Sequence, residues 1–178
     1  MIDPIKILQD LIRIPSHSRE ETGAADYLES VLKEAGFHPQ RHQNNLWCVS
    51  PHFNSHQPTL LRNAHIDTVK PAQGWQDSPY EPILSDGFLQ GLGSSDCGGG
   101  LVSLLAAFAQ LREKPQPYNL IYLASAEEEV SGVNGISSVL PLLPKIDVAI
   151  VGEPTSLQPA IAERGLMVLD CTAKGRAG

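Results

Sequence analysis

The sequence has few cysteines, and their spacing does not suggest a structural role. Cys48, Cys97 and Cys171 are the only three among 178 residues, and they are far apart and odd in number. No C-x-x-C pair occurs, so neither a disulfide framework nor a thiolate zinc site is supported. This cysteine usage fits a protein that works in a reducing cytoplasm.

Long apolar runs and an excess of positive charge are also missing. The most apolar stretch, residues 101–111, is interrupted by Ser103 and Gln110 and is well short of the roughly 20 residues that a membrane-spanning helix needs. Residues 1–6 lack the basic region and long apolar core of a signal peptide. Because the formal net charge is −7, we expect neither nucleic acid nor an anionic membrane as a main partner.

The chain does contain enough apolar residues, 42%, for the core of one domain. Helical spacing of these residues predicts helices, and short apolar runs predict buried strands. The predicted helices cover residues 4–14, 19–35, 99–113 and 136–143, and the predicted strands cover residues 46–50, 59–64, 119–125, 147–151 and 166–173.

Local signals support several of these elements. Asp3, before a proline, is typical of a helix N-cap, and Ser18 with Glu21 has the S-x-x-E spacing of a capping box for the second helix. Asp86-Gly87 predicts a tight hairpin. Apolar strands separated by helices indicate an α/β fold whose sheet is at least partly parallel, and active sites of such folds lie at the carboxyl ends of the strands.

His65 and Asp67 follow the predicted strand at 59–64. Residues two apart in an extended chain point to the same face, so the two side chains can lie side by side. A neutral imidazole can bind a metal through one nitrogen while a carboxylate orients the ring from behind. A lone surface H-x-D without a metal is the alternative for so short a motif.

Asp96 precedes three consecutive glycines at a predicted helix start. It is either a plain N-cap or a ligand that bridges two metal ions, because glycines allow the backbone to come close. A phosphate-binding loop is a weaker alternative, since the lysine and hydroxyl of a Walker A sequence are absent.

Glu127–Glu129 directly follow the predicted strand at 119–125, and Glu153 follows the strand at 147–151. Three adjacent carboxylates are usually a solvated surface run, and Glu153 alone is typical of a turn. At the end of a buried strand, however, their repulsion is costly without a cation. Adjacent residues face opposite ways, so one glutamate could bind a metal while its neighbour faces a substrate water.

Together these strand ends offer one histidine and several carboxylates. Such ligands suit zinc, manganese or cobalt, and a shared carboxylate suits a pair of ions. Two cations would acidify a bridging water and stabilise an oxyanion, while a glutamate moves the proton to a leaving amine. The residues therefore predict amide hydrolysis.

The order and spacing of four segments resemble the co-catalytic zinc family of acetylornithine deacetylase, succinyl-diaminopimelate desuccinylase, aminoacylase and carboxypeptidase G. These segments are Asn-Ala-His-Ile-Asp-Thr-Val at 63–69, Gly-Leu-Gly-Ser-Ser-Asp at 91–96, Ser-Ala-Glu-Glu-Glu at 125–129 and Val-Gly-Glu-Pro-Thr at 151–155. Further stretches, at 44–48, 67–71, 74–75 and 127–132, look most like the acetylornithine deacetylase branch.

The resemblance implies a three-layer α/β/α sandwich with a mixed, partly parallel sheet, of the zinc-exopeptidase type and incomplete here. Residues 1–174 would be the N-terminal part of the metal-binding catalytic domain. Residues 175–178 would begin the connection to a lid and dimerisation domain, through which the full-length protein forms a homodimer. A histidine of the second metal and an oxyanion-stabilising histidine would both lie beyond residue 178, so this chain alone is expected to be inactive.

The resemblance also implies residue roles around two divalent ions, zinc first, with cobalt or manganese as alternatives. His65 and Glu153 would bind one ion, Asp96 would bridge both, and Glu129 would bind the second. Asp67 would support His65, and Glu128 would be the general base that activates a metal-bridging water. A cis peptide after Asp96 also fits the family, whereas Glu127 receives no ligand role.

The expected activity is removal of the N-acyl group from N-acetylornithine, or from N-succinylornithine or N-acetylcitrulline, in arginine biosynthesis. A dipeptidase or aminopeptidase of the same family is one alternative, and a metal-free binding domain that kept the fold is another. Three further expectations concern single residues: Trp75 packs near the cleft mouth, Cys97 is a small buried filler, and the remaining histidines lie on the surface or in loops (His17, His38, His42, His52 and His56).

Overall fold

A five-stranded sheet forms the centre of the computed structural model, which describes residues 2–162, 165, 167, 169, 171–173 and 175. In chain order the strands are β1 Gln40–His42, β2 Asn45–Val49, β3 Thr59–His65, β4 Ile83–Ser85, β5 Phe88–Gln90, β6 Asn119–Ser125 and β7 Val148–Val151. The helices are α1 Pro4–Arg13, α2 Thr22–Glu34, α3 Gly100–Leu111 and α4 Ile136–Val139. β4 and β5 form a separate hairpin.

The strand order in the sheet is β1-β2-β6-β3-β7. β3 runs parallel to both β6 and β7, whereas β2 is antiparallel to β6 and β1 is antiparallel to β2. His65 at the end of β3 is level with Ser125 at the end of β6, and Asn63 is level with Val151 at the end of β7. Three carboxyl ends therefore meet at one edge, and the predicted mixed α/β sheet is confirmed.

Apolar side chains pack on both faces of this sheet. The larger core cluster joins β3 and β6 to α1, α2 and α3, and includes Leu28, Phe108 and Tyr122. A smaller cluster on the other face packs Trp47 and Ile121 against the segment that contains α4. The two clusters give the three layers that the sequence predicted. In the described part of the chain, no helix combines the length and apolar character needed to span a bilayer.

Several predicted boundaries are confirmed by their local contacts. The Asp3 carboxylate accepts hydrogen bonds from the amides of Ile5 and Lys6, both at 3.1 Å, and caps α1 as expected. The hairpin turns at Asp86 and Gly87, which both have positive φ angles of 51° and 82°. β6 covers the predicted residues and is buried throughout.

The predicted capping box is wrong. α2 begins at Thr22, and neither Ser18 nor Glu21 caps it through a side chain. Instead the Ser18 hydroxyl donates to Asp67, and the Glu21 carboxylate accepts from the amide of Glu127. Partners distant in the sequence have taken the place of the local cap.

Two other elements differ from prediction. The helix predicted over 136–143 is regular only to Val139 and then tightens into a 3₁₀ turn at Leu140–Leu142, where Pro141 has no amide hydrogen to donate. β1 was not predicted, because its three polar residues carry no apolar alternation. Of the strand predicted at 166–173, residues 166, 168 and 170 lie outside the described part of the chain, and the described residues 167, 169 and 171–173 are not assigned to a strand. Of the connection predicted at 175–178, only residue 175 is described.

Candidate metal centre

His65, the last residue of β3, is buried at the centre of the site. Its Nδ1 atom lies 2.8 Å from the carbonyl oxygen of Asp67 and 3.5 Å from Oδ1 of the same residue. The opposite nitrogen, Nε2, lies 3.0 Å from Asp96 Oδ1, 3.7 Å from Glu128 Oε2 and 3.8 Å from Glu153 Oε1. Three carboxylates from three separate segments therefore converge on one imidazole nitrogen.

Asp67 links His65 to the loop after β6. Its carboxylate is buried and accepts hydrogen bonds from the amide of Glu128 at 3.0 Å, the amide of Glu129 at 3.1 Å and the hydroxyl of Ser18 at 2.7 Å. The same residue thus orients the imidazole ring and holds the backbone that carries two of the predicted site glutamates.

Asp96 lies in an irregular turn, Ser94–Gly99, that precedes α3. Its backbone angles are not helical, and its peptide bond to Cys97 is cis, as expected. The Asp96 side chain is about half exposed and faces His65 from across the cleft. It does not cap α3, so the N-cap alternative is not supported.

Glu153 is placed by a close approach of two glycines. Gly152 follows β7, and its amide donates to Asn63 on β3 at 2.8 Å. A Cβ atom on Gly100, at the start of α3, would lie 1.9 Å from the carbonyl oxygen of Gly152. The same carbonyl accepts from the buried Cys97 thiol at 2.9 Å. The absence of a side chain at Gly100 therefore lets α3 and the end of β7 meet next to the site.

Two overlapping sets of metal-donor atoms share His65. The ligand atoms of His65, Asp96 and Glu129 lie within 4.8 Å of one another, and so do those of His65, Cys97 and Glu153. The four residues predicted as metal ligands are thus brought together. Cys97, expected from the sequence to be only a small buried filler, also lies within reach of the site, and its position next to Asp96 was a signal of this.

Glu127 points its carboxylate to a different partner. Its two oxygens accept from the side chain and the backbone amide of Asn134, at 2.9 and 3.2 Å. Both oxygens of Glu127 are thus engaged within its own loop, and its exclusion from the ligand set stays a prediction.

The electrostatics of the site favour a bound cation. Burial alone would lower the pKa of His65, but the Asp67 and Glu153 carboxylates outweigh it and raise that pKa to about 9. Burial and neighbouring carboxylates raise the pKa of Glu129 and of Glu153. Burial would also raise the pKa of Asp67, yet its hydrogen bonds from His65, Ser18 and the loop amides lower it. A divalent ion would relieve the repulsion among these carboxylates.

The segment between α1 and α2 belongs to the site, which no spacing in the sequence revealed. Ser18 contacts Asp67, 49 positions away, and Glu21 contacts Glu127, 106 positions away. His17 lies in a loop as expected, but it is only partly exposed, and its ring nitrogen is 2.9 Å from the Tyr80 hydroxyl. Trp75 is partly buried and lines a surface pocket together with Gln90. Its expected position near the mouth of the cleft stays a prediction.

The sequence profile of peptidase family M20/M25/M40 matches residues 61–164, more than half of the chain. The chain belongs to this family. The matched region includes His65, Asp96, the Glu127–Glu129 loop and Glu153.

Curated relatives include two succinyl-diaminopimelate desuccinylases. The one from Wolbachia pipientis is 29% identical over 99% of this chain and 48% of its own length. The one from Delftia acidovorans is 30% identical over 98% of this chain and 50% of its own length. The chain therefore spans about half the length of these relatives.

Solved structures of the M20 family share the fold. An M20 family metallo-carboxypeptidase from Sulfolobus solfataricus superposes with a TM-score of 0.67 at 22% identity, over 85% of this chain and 37% of its own. An aminoacylhistidine dipeptidase from Vibrio alginolyticus superposes with a TM-score of 0.65 at 21% identity, over 83% of this chain and 32% of its own. A dinuclear metal-binding peptidase from Bacillus subtilis superposes with a TM-score of 0.63 at 17% identity, over 83% of this chain and 41% of its own.

Proposed function

We propose that this chain is the N-terminal catalytic part of a metal-dependent amidohydrolase that removes the acyl group from an N-acylated amino acid. The observation that carries this proposal is the convergence of Asp96, Glu128 and Glu153 on Nε2 of His65, at the carboxyl ends of parallel strands. Side chains at these ends are where α/β folds place their chemistry.

The donor set fits two divalent ions. Nitrogen and oxygen donors suit zinc, with cobalt and manganese as alternatives. His65 and Glu153 would hold one ion, Glu129 would hold the second, and Asp96 would be shared between them. Bound ions of this kind acidify water and stabilise negative charge that develops on an oxygen. Support comes from the two donor sets that share His65, within each of which the donor atoms lie within 4.8 Å of one another, and from the resemblance to a dinuclear peptidase.

Glu128 serves as the general base. Its side chain is about half exposed, so water and substrate can reach it, and its Oε2 lies 3.7 Å from His65 Nε2. Its backbone is held by the buried Asp67 carboxylate, which fixes where the side chain starts. A carboxylate in this position can take a proton from water and deliver it to the leaving amine.

The domain assignment is part of the same proposal. Residues 1–174 form part of the metal-binding domain, and residues 175–178 begin the connection to a lid and dimerisation domain. β7 is an edge strand of the sheet, and its apolar residues Val148, Ile150 and Val151 are 58%, 46% and 53% exposed. Further elements of the whole protein would cover them and supply the histidine of the second metal, and the whole protein forms a homodimer.

Three substrate classes are candidates, and the first two are N-acylated α-amino acids. N-acetylornithine, with N-succinylornithine and N-acetylcitrulline, is supported by the resemblance of residues 44–48 and 127–132 to acetylornithine deacetylases. N-succinyl-diaminopimelate is supported by the names of the curated relatives. Dipeptides are a third class, because structural neighbours include a dipeptidase.

A substrate panel on the full-length protein tests the proposal. The protein is stripped with a chelator, reloaded with zinc or cobalt, and assayed with N-acetylornithine, N-acetylcitrulline, N-succinylornithine, N-succinyl-diaminopimelate and dipeptides. We expect turnover of an N-acylated amino acid above that of dipeptides, and Glu128→Gln should lower kcat by about 10²–10⁴-fold while metal is retained.

Glu113→Gln, at an exposed glutamate after α3, is the matched control and should leave kcat unchanged. Faster turnover of dipeptides would reassign the protein as a dipeptidase. Calorimetry that detects no zinc binding, together with no turnover of any compound, would leave only a metal-free binding domain.

A further inference from the structure

Glu21 is a fully buried carboxylate next to the site but outside the set of proposed ligands. Its exposed fraction is 0%, and it accepts three hydrogen bonds: from the amides of Arg19 at 2.6 Å and Glu127 at 3.1 Å through Oε1, and from the side chain of Asn44 at 3.0 Å through Oε2. Among the described residues no charged nitrogen forms an ion pair with it. Such a group is costly to bury unless its hydrogen bonds are satisfied.

A role in starting α2 does not account for these contacts. Glu21 occupies the N-cap position, but its side chain makes no hydrogen bond to the first amides of that helix. The carboxylate turns back to Arg19 and reaches across to Glu127 on the loop after β6. Its contacts therefore tie the α1–α2 connection to that loop.

Three successive amides of the loop are held by two buried carboxylates. The amide of Glu127 donates to Glu21, and the amides of Glu128 and Glu129 donate to the two oxygens of Asp67. Asp67 alone fixes the second and third of these amides. Glu21 fixes the first, where the chain leaves β6.

The backbone needs this support at Glu127. Its φ angle is 54°, a left-handed conformation that is unfavourable for a residue with a side chain. The direction of the chain at Glu127 decides where Glu128 and Glu129 begin, and Glu128 must reach within 3.7 Å of His65 Nε2. A change at Glu127 therefore moves both side chains.

We propose that Glu21 is a positioning residue that holds the Glu127 amide and so aims Glu128 and Glu129 at the site. This inference rests on the proposed function for what the two glutamates do, but the hydrogen bond itself does not depend on it. Glu21 acts through the loop backbone and touches no reacting atom.

Kinetics of the full-length, zinc-loaded protein give the first test. Glu21→Ala removes the acceptor, and we expect kcat to fall by about 10–100-fold with little change in KM, as for other groups that orient metal-site residues. Glu21→Gln keeps an oxygen that can accept from the Glu127 amide and should recover most of kcat. Glu34→Ala, at an exposed carboxylate at the end of α2 and away from the site, is the control and should match the wild type.

Hydrogen exchange of the metal-free protein gives a test without turnover. Glu21→Ala should raise the exchange rates of the amides of residues 127–129 by about tenfold, while amides at the centre of β6 keep their rates, because only the local hydrogen bond is lost. Glu21→Asp, one methylene too short to reach Glu127, should give the same local change if the alanine variant does not fold. The visible spectrum of the cobalt-loaded protein should change in both variants, since Glu129 is a proposed ligand.

Unchanged exchange at residues 127–129, or a loss of kcat that merely follows the fraction of unfolded protein, would overturn the positioning role. Faster exchange and a changed cobalt spectrum in a protein that hydrolyses no substrate on the panel would uphold the positioning role and reject the proposed function. The two proposals therefore fail in different measurements.

Discussion

The Nδ1 atom of His65 lies 2.8 Å from the carbonyl oxygen of Asp67 and 3.5 Å from its carboxylate. Both oxygens are acceptors, so Nδ1 carries a proton. Because the pKa of the ring is raised to about 9, Nε2 also carries a proton at neutral pH and donates to Asp96, and a bound metal ion would replace that proton. The same Asp67 carboxylate holds the amides of Glu128 and Glu129. One side chain therefore sets the relative position of a proposed ligand and the proposed base.

Asp67→Asn should impair the site without unfolding the chain. An amide offers only one acceptor oxygen, and its NH₂ group would face a donor, either the Ser18 hydroxyl or a loop amide. We expect kcat and zinc affinity each to fall by about 10–100-fold. Steady-state kinetics and competition with a zinc chelator measure the two effects. Asp77→Asn, at an exposed loop carboxylate, is the control, and equal values for both variants would contradict the prediction.

Ser18→Ala should lower the stability of the folded protein, because Asp67 loses a hydrogen bond. The variant removes a hydroxyl that donates to the buried carboxylate at 2.7 Å, and a hydrogen bond to a charged group contributes roughly 1.5–3 kcal/mol. Urea unfolding of the metal-free protein should therefore show a loss of that size in the free energy of unfolding. Ser30→Ala, at an exposed serine of α2 that bonds only its own helix, should change stability by no more than about 0.5 kcal/mol. The prediction fails if the two variants are equally stable.

Gly100→Ala should disturb the end of β7. The new Cβ would lie 1.9 Å from the carbonyl oxygen of Gly152 and 2.7 Å from its carbon, so backbone must move. Overpacking of this kind costs about 1–3 kcal/mol, and the displacement falls next to Glu153. Denaturant unfolding should show the lower stability, and zinc titration should show weaker binding. Ser103→Ala, on the exposed side of the same helix, adds no clash, and a Gly100→Ala protein as stable as this control would refute the argument.

Cys97 should be chemically inert despite its place beside the site. Its thiol is buried, donates to the carbonyl of Gly152, and has a pKa raised by burial to about 12. Burial likewise raises the pKa of Cys48 to about 12. Both thiols stay protonated at pH 8, and a thiol rather than a thiolate is a poor nucleophile.

Alkylation of the folded protein at pH 8, mapped by mass spectrometry, should therefore modify the exposed Cys171 and leave Cys48 and Cys97 unmodified. Raising the pH from 7 to 9 should leave both buried thiols unreactive, because that range lies below their pKa values. Guanidinium should expose all three. Rapid modification of Cys97 in the folded state would show that its thiol is ionised.

Patterns within short windows were sufficient for most of the fold. The apolar run of β6, the N-cap at Asp3 and the hairpin at Asp86-Gly87 depend on neighbours a few residues away, so they could be predicted. Parallel strands also bring their carboxyl ends together, which is why His65, Asp96, Glu129 and Glu153 were expected to meet. Their grouping is observed, and their roles as ligands stay predictions.

The positions of Ser18 and Glu21 came from long-range packing. Both fit a capping box, and a local rule assigned them to α2, but each bonds a residue 49 or 106 positions away. A buried carboxylate or hydroxyl takes whichever partners the folded core places beside it, and those partners cannot be seen in any local window. Local sequence patterns therefore determine the strands and identify the residues of the site. The contacts that hold the loop after β6 form only when the chain is folded.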